Sequence, residues 1–145
     1  MDKDSHYAWL GTLRRAPRIS AASMKDVPKV QGIYVLWLSG EVPLCLKVGL
    51  AGPRNGRGLA GRIQLHLSSN SANTVLARHM AADVTLPTGG GYDFRDRQQR
   101  SRLLAEKCHF QVLGMPDLTL AQLRCFERFL EAKLQPKYRG RVNRS

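Results

Sequence analysis

Two apolar runs, Gly32-Ile33-Tyr34-Val35-Leu36-Trp37-Leu38 and Leu44-Cys45-Leu46-Lys47-Val48-Gly49, flank a break at Ser39-Gly40-Glu41-Val42-Pro43. Both runs are rich in aliphatic, β-branched and aromatic side chains, which suit a pleated, half-buried chain, and the Gly and Pro between them stop it. Two such runs across a short break predict an antiparallel hairpin. Tyr34 and Lys47 are its two odd members, one a phenol among aliphatics, the other a cation in an apolar run. A strand lysine is commonly an edge or solvent-facing residue. Side chains alternate faces along a strand, so one residue of slip decides whether Tyr34 and Lys47 meet, and the sequence leaves that register open.

Downstream, a Gly/Arg-rich loop from Leu50 to Gly58 carries Arg54 and Arg57. Leu59, Ile63 and Leu67 then recur every fourth residue, which predicts a helix with one apolar face. Ser71 can cap a second helix over 72–82, where Leu76 and Met80 are four apart, and Pro87 with Gly89-Gly90-Gly91 ends that unit in a loop. Residues 95–106 hold Arg95, Arg97, Arg100 and Arg102 and read as a basic helix or a partly ordered lid; 108–113 reads as a third strand. In the last helix Thr119 is a natural cap, and Leu120, Leu123, Phe126, Leu130 and Leu134 trace an apolar stripe up to Pro136. Upstream, Tyr7-Ala8-Trp9-Leu10 can start a short helix, but Pro17 and Pro28 interrupt the segment. Residues 1–28 therefore read as an N-terminal arm or cap, and 29–145 as the domain.

Composition bounds the function. At 145 residues and 43% hydrophobic, the chain is one domain with enough apolar side chains for a core, which excludes wholesale disorder. No apolar run approaches the ~20 residues that span a bilayer, and the start lacks the basic-then-apolar layout of a secretory signal. Cys45, Cys108 and Cys125 are odd in number and widely spaced, which supports neither a disulfide framework nor a common zinc site. A reducing cytoplasm is the expected location. The net charge of +12 favours a polyanionic partner, and arginine's planar fork suits phosphate. An anionic membrane surface fits less well, because no basic stretch carries a wide apolar face with aromatic anchors.

On a helical wheel, Glu127 falls about 50° from the centre of the last helix's apolar stripe, between Leu123 and Leu130. A carboxylate there is costly unless paired or on a metal; a snorkelling edge residue or a salt bridge to an arginine reads equally well. Glu131, one turn on, lies nearer the polar boundary and reads as a solvated partner. Arg62 and His66 stack one turn apart on the border of the earlier helix, which suits either a phosphate and proton-transfer pair or an ordinary helix border.

The order of these pieces says more than any one of them. Gly32-Ile33-Tyr34, then Lys47-Val48-Gly49, then Arg62 and His66 within Leu59-Ala60-Gly61-Arg62-Ile63-Gln64-Leu65-His66, then Glu127 in a helix ending at Pro136, then Asn143: this resembles the GIY-YIG nuclease family over about residues 30–143. The first tripeptide matches letter for letter; in the second, lysine takes the place of tyrosine, as in some restriction-type members. The resemblance implies an α+β fold, a small domain with a three-stranded antiparallel sheet flanked by helices. It also implies metal-dependent hydrolysis of phosphodiester bonds, most readily in DNA. Glu127 would be the sole protein ligand of Mg²⁺ or Mn²⁺, Arg62 the phosphate clamp, Tyr34 the base or water-orienting group, His66 a proton shuttle or phosphate contact, and Asn143 a further site residue. Lys47 would favour the phenolate of Tyr34 by its charge. Arg54, Arg57, Arg95, Arg97 and Arg100 are expected to hold the nucleic-acid backbone, with salt-sensitive affinity. The rival expectations are a catalytically silent nucleic-acid-binding module on the same fold, or a basic assembly protein; oligomeric state is open.

Overall fold

The computed structural model describes residues 3–54, 56–67, 75–83, 92–93 and 95–139. In chain order these form α1 (Lys3–Arg14), a 3₁₀ turn (Ala21–Asp26), β1 (Gly32–Leu38), β2 (Leu44–Ala51), α2 (Gly58–Leu67), α3 (Val75–Ala82), α4 (Arg97–Lys107), β3 (Cys108–Gly114) and α5 (Leu120–Leu134). The fold is α+β, with a three-stranded antiparallel sheet in the order β2-β1-β3 flanked by helices. No helix among the described residues is long and apolar enough to cross a membrane.

The hairpin forms where the two apolar runs predict it. Tyr34 pairs with Gly49 and Leu36 with Lys47, and the register then shifts so that Trp37 faces Cys45. Leu46 is the extra residue of this bulge. Residues directly opposite each other in an antiparallel pair share a face, so Tyr34 and Lys47 stand on the same side of the sheet. That is the register the sequence left open.

Strand alternation divides the core in two. Tyr34, Leu36 and Leu38 face Leu59 and Ile63 of α2, Leu76 and Met80 of α3, and Leu103 and Leu104 of α4. Ile33, Val35 and Val48 face Leu10 and Leu13 of α1 and Leu123, Phe126 and Leu130 of α5. Both outer strands are covered. Ile19 exchanges two 2.8 Å backbone hydrogen bonds with Phe110 on β3, while the amides of Lys137 and Tyr138 donate to Cys45 and Leu46 on β2. Covering the edges this way satisfies ladder groups that would otherwise invite pairing with another chain.

The predicted helix caps and bounds are met in part. Thr119 makes a reciprocal capping box with Gln122, which fixes the start of α5. Gly58 has φ +58° with its Cα against the Val30 backbone, and the next two amides donate to Val30 and Pro28 carbonyls. This docks the start of α2 on the chain entering β1 and sets the pitch of the face bearing Arg62 and His66. Residues 97–107 are helical and 108–114 a strand, as the sequence suggests. The predicted cap Ser71 and the loop at 87–91 lie outside the described residues.

Candidate functional site

Two elements of the sheet and two helices bring polar side chains to one place. Tyr34 comes from the middle of β1, Lys47 from β2, Arg62 and His66 from successive turns of α2, and Glu127 from α5 on the other side of the sheet. α5 lies mainly along β2, an outer strand, so its glutamate reaches the others past that edge. Tyr34, Lys47 and His66 are buried; Arg62 and Glu127 are half-buried.

The tightest contact is a 2.7 Å hydrogen bond between the Tyr34 hydroxyl and His66 Nε2. Burial pushes the phenol up to about 12, partly offset by the charge and hydrogen bond of Arg62 and reinforced by the negative Glu127. Burial likewise takes His66 down to about 3, with Arg62 and Lys47 adding repulsion. At neutral pH both rings are uncharged. The charge that favours phenolate is therefore that of Arg62, where Lys47 was expected to supply it. A neutral imidazole committed to the phenol is also not the cationic phosphate contact that His66 could have been.

Lys47 is held below the usual lysine range by burial, against the pull of Glu127 and Glu131. The Glu127 carboxyl is raised to about 7, first by burial and then by Glu131, with Lys47, Arg124 and Arg128 opposing. Gly49 makes room: a Cβ there would overlap the ring and hydroxyl of Tyr34. Arg62 Nε and His66 Nδ1 are buried without a protein partner, which leaves unspent donor capacity at the heart of the group.

Three further neighbours join the group, of which the sequence pointed only to Glu131. Glu131 is half-buried and acts on both Glu127 and Lys47, where it was expected to be solvated. His79 is lowered by burial and by Lys47, and it stacks on Tyr138 at 5.7 Å. The Tyr138 hydroxyl in turn donates to Asp83 at 2.6 Å. For His79 the available signal was its place beside Met80 and three residues after Leu76. Tyr138 gave none, because it arrives through backbone pairing with β2.

The basic residues divide. Arg54, Arg57, Arg95 and Arg97 are exposed, and Arg95 pairs with Asp93 at 3.2 Å. Arg100 is a correction: it is buried, because it shares the inward face of α4 with Leu103 and Leu104, and it cannot lie along a nucleic-acid backbone. Asn143 lies outside the described residues.

No cluster of three or more His, Cys, Asp or Glu that could cage a metal exists among the described residues. Glu127 with Glu131 nevertheless makes a pair of hard oxygen donors whose mutual repulsion is incompletely relieved, and such a pair fits a divalent cation that keeps most of its waters. Comparison with protein-family models, with curated proteins and with solved structures returned no match.

Proposed function

We propose that this chain is a metal-dependent endonuclease of the GIY-YIG type acting on DNA. The observation that carries the reading is the meeting of Tyr34, Lys47, Arg62, His66 and Glu127, from four separate elements, in one polar group on the edge of an otherwise apolar core. Keeping a phenol, two cations, an imidazole and a carboxylate in that position costs desolvation that packing alone would not require.

Phosphodiester hydrolysis needs an activated water, charge neutralisation on the phosphoryl oxygens and a proton for the leaving oxygen. Mg²⁺ or Mn²⁺ held by Glu127, with Glu131 behind it, would supply Lewis acidity at the phosphoryl oxygen. Arg62 clamps the non-bridging oxygens with its fork. Tyr34 orients the attacking water; its proton passes first to His66 Nε2 along the existing 2.7 Å bond, and the phenolate left behind then takes the water's proton. Arg62 steadies the phenolate so formed, which burial alone opposes. Lys47, with its proton loosened by burial, would protonate the leaving oxygen. Exposed Arg54, Arg57 and Arg97 would hold the duplex backbone.

Supercoiled-plasmid nicking with Mg²⁺ or Mn²⁺ tests this. Wild type is expected to nick, and Glu127→Ala to lose nicking by more than about a hundred-fold while still shifting DNA in a gel. Tight DNA binding without nicking in either metal would favour a silent binding module, the reading that the strongly raised Tyr34 phenol supports.

A further inference from the structure

On the opposite side of the sheet from Tyr34, at the end of α1, lies a concave site of about 300 Å³ that the nuclease reading does not use. Trp37 of β1 and His109 of β3 are cross-strand partners in its wall, their rings nearly parallel at 18° with centroids 6.5 Å apart. Arg14 and Arg18 rim it, both exposed. The site is built, not a chance hollow. Gln111 accepts from Trp37 Nε1 at 3.0 Å and donates to the carbonyls of Arg14 and Ala16 at 3.2 and 2.9 Å, which ties the arginine-bearing segment to the aromatic wall. Ser39 Oγ bonds His109 Nδ1 at 2.8 Å and fixes that ring. Burial first, and then the charge of Arg18, disfavour protonation of His109.

The chemistry of this lining is selective. Two guanidinium groups call for an anion, and arginine binds phosphate through paired donors. A fixed aromatic wall calls for a flat ring, and every nucleobase has one. The volume is at the low end of ligand sites and suits one such unit rather than a long chain. We infer that the pocket between the end of α1 and the Trp37–His109 wall binds a nucleoside monophosphate unit, with its phosphate on Arg14 and Arg18 and its base against Trp37. The unit could be a free mononucleotide or one nucleotide of a single strand; the chemistry is shared.

The site is read by binding alone, so its failure leaves the nuclease reading untouched. Indole fluorescence of the full chain is titrated with dAMP, deoxyadenosine, inorganic phosphate and a short oligo-dA at low salt. The chain has only Trp9 and Trp37, so Trp37→Phe, followed by calorimetry for its own affinity, assigns the signal. Saturable quenching by dAMP is expected, about ten-fold tighter than by deoxyadenosine, since the phosphate contacts are charge-assisted. Arg14→Gln and Arg18→Gln are each expected to weaken dAMP about five-fold or more while leaving the melting temperature unchanged, because both side chains are exposed. Tighter binding of oligo-dA than of dAMP identifies a strand as the source, and the reverse a free nucleotide. No saturable quenching by up to about 5 mM dAMP, equal affinity for deoxyadenosine, or indifference to both arginine substitutions would overturn the inference.

Discussion

The two faces of one strand make the sharpest contrast in this molecule. Ile33 and Val35 point into a cluster with Val48, Leu123, Phe126 and Leu130 whose members do nothing but pack. Tyr34, one residue away, points the other way into a group where a phenol is pushed up, an imidazole and an amine pushed down, and a carboxyl on the neighbouring helix pushed up. Every one of those shifts has burial as its first cause. Packing energy on the α1/α5 side thus coexists with a desolvation cost at the β2 edge that the neighbouring charges offset only in part. Apolar packing on both sides of the sheet carries the stability, and on the proposed function the polar group is kept at that cost for chemistry.

Substitutions can break that contrast. The largest stability effect is expected from Phe126→Ala, which empties a fully buried site on the apolar face and should cost about 3–5 kcal/mol in a urea melt. Next comes pH. His66 is held neutral in the fold, down to about 3 from 6.5, so its contribution to stability is full above pH 6.5 and is lost as pH falls toward 3. Glu127 slopes the other way: raised from 4.5 to about 7, it favours the fold below 4.5 and loses that contribution as pH rises through 7. Subtracting a His66→Gln titration from that of wild type removes the Glu127 part. The difference is expected to be a loss of a few kcal/mol in wild type between pH 6.5 and 3, with an amide able to keep the bond to Tyr34 in the variant. The smallest stability change is expected for Lys47→Met. Losing the cation removes its own desolvation cost but leaves Glu127 without it. Because that carboxyl is already raised to about 7 it can take up a proton instead, so the melting temperature is expected to change by no more than a few degrees, while nicking is lost. If Lys47→Met instead unfolds the chain, the polar group is structural and the contrast fails.

Much of this arrangement was legible in the residues. The hairpin followed from β-branched runs around a Gly/Pro break, and α5 from a leucine stripe behind a Thr119 cap. Tyr34 and Glu127 stood out because each contradicts the apolar pattern around it. What the sequence could not give is set by long-range geometry. The bulge at Leu46 decides that Lys47 joins Tyr34, and no local pattern announces it. Arg100 looked like one more surface cation until the pitch of α4 turned it inward with Leu103 and Leu104. Ile19 and Tyr138 close the two sheet edges through backbone pairing across about ninety residues of chain, which leaves no trace in side-chain periodicity.

The most direct test compares the rate of Mg²⁺-dependent plasmid nicking in wild type, Tyr34→Phe and Arg62→Gln, with a melting curve for each. Wild type is expected to nick, and each variant to slow by about a hundred-fold or more with its melting temperature within a few degrees of wild type. Nicking at the wild-type rate by either variant, or none by wild type with Mg²⁺ or Mn²⁺, would contradict the account.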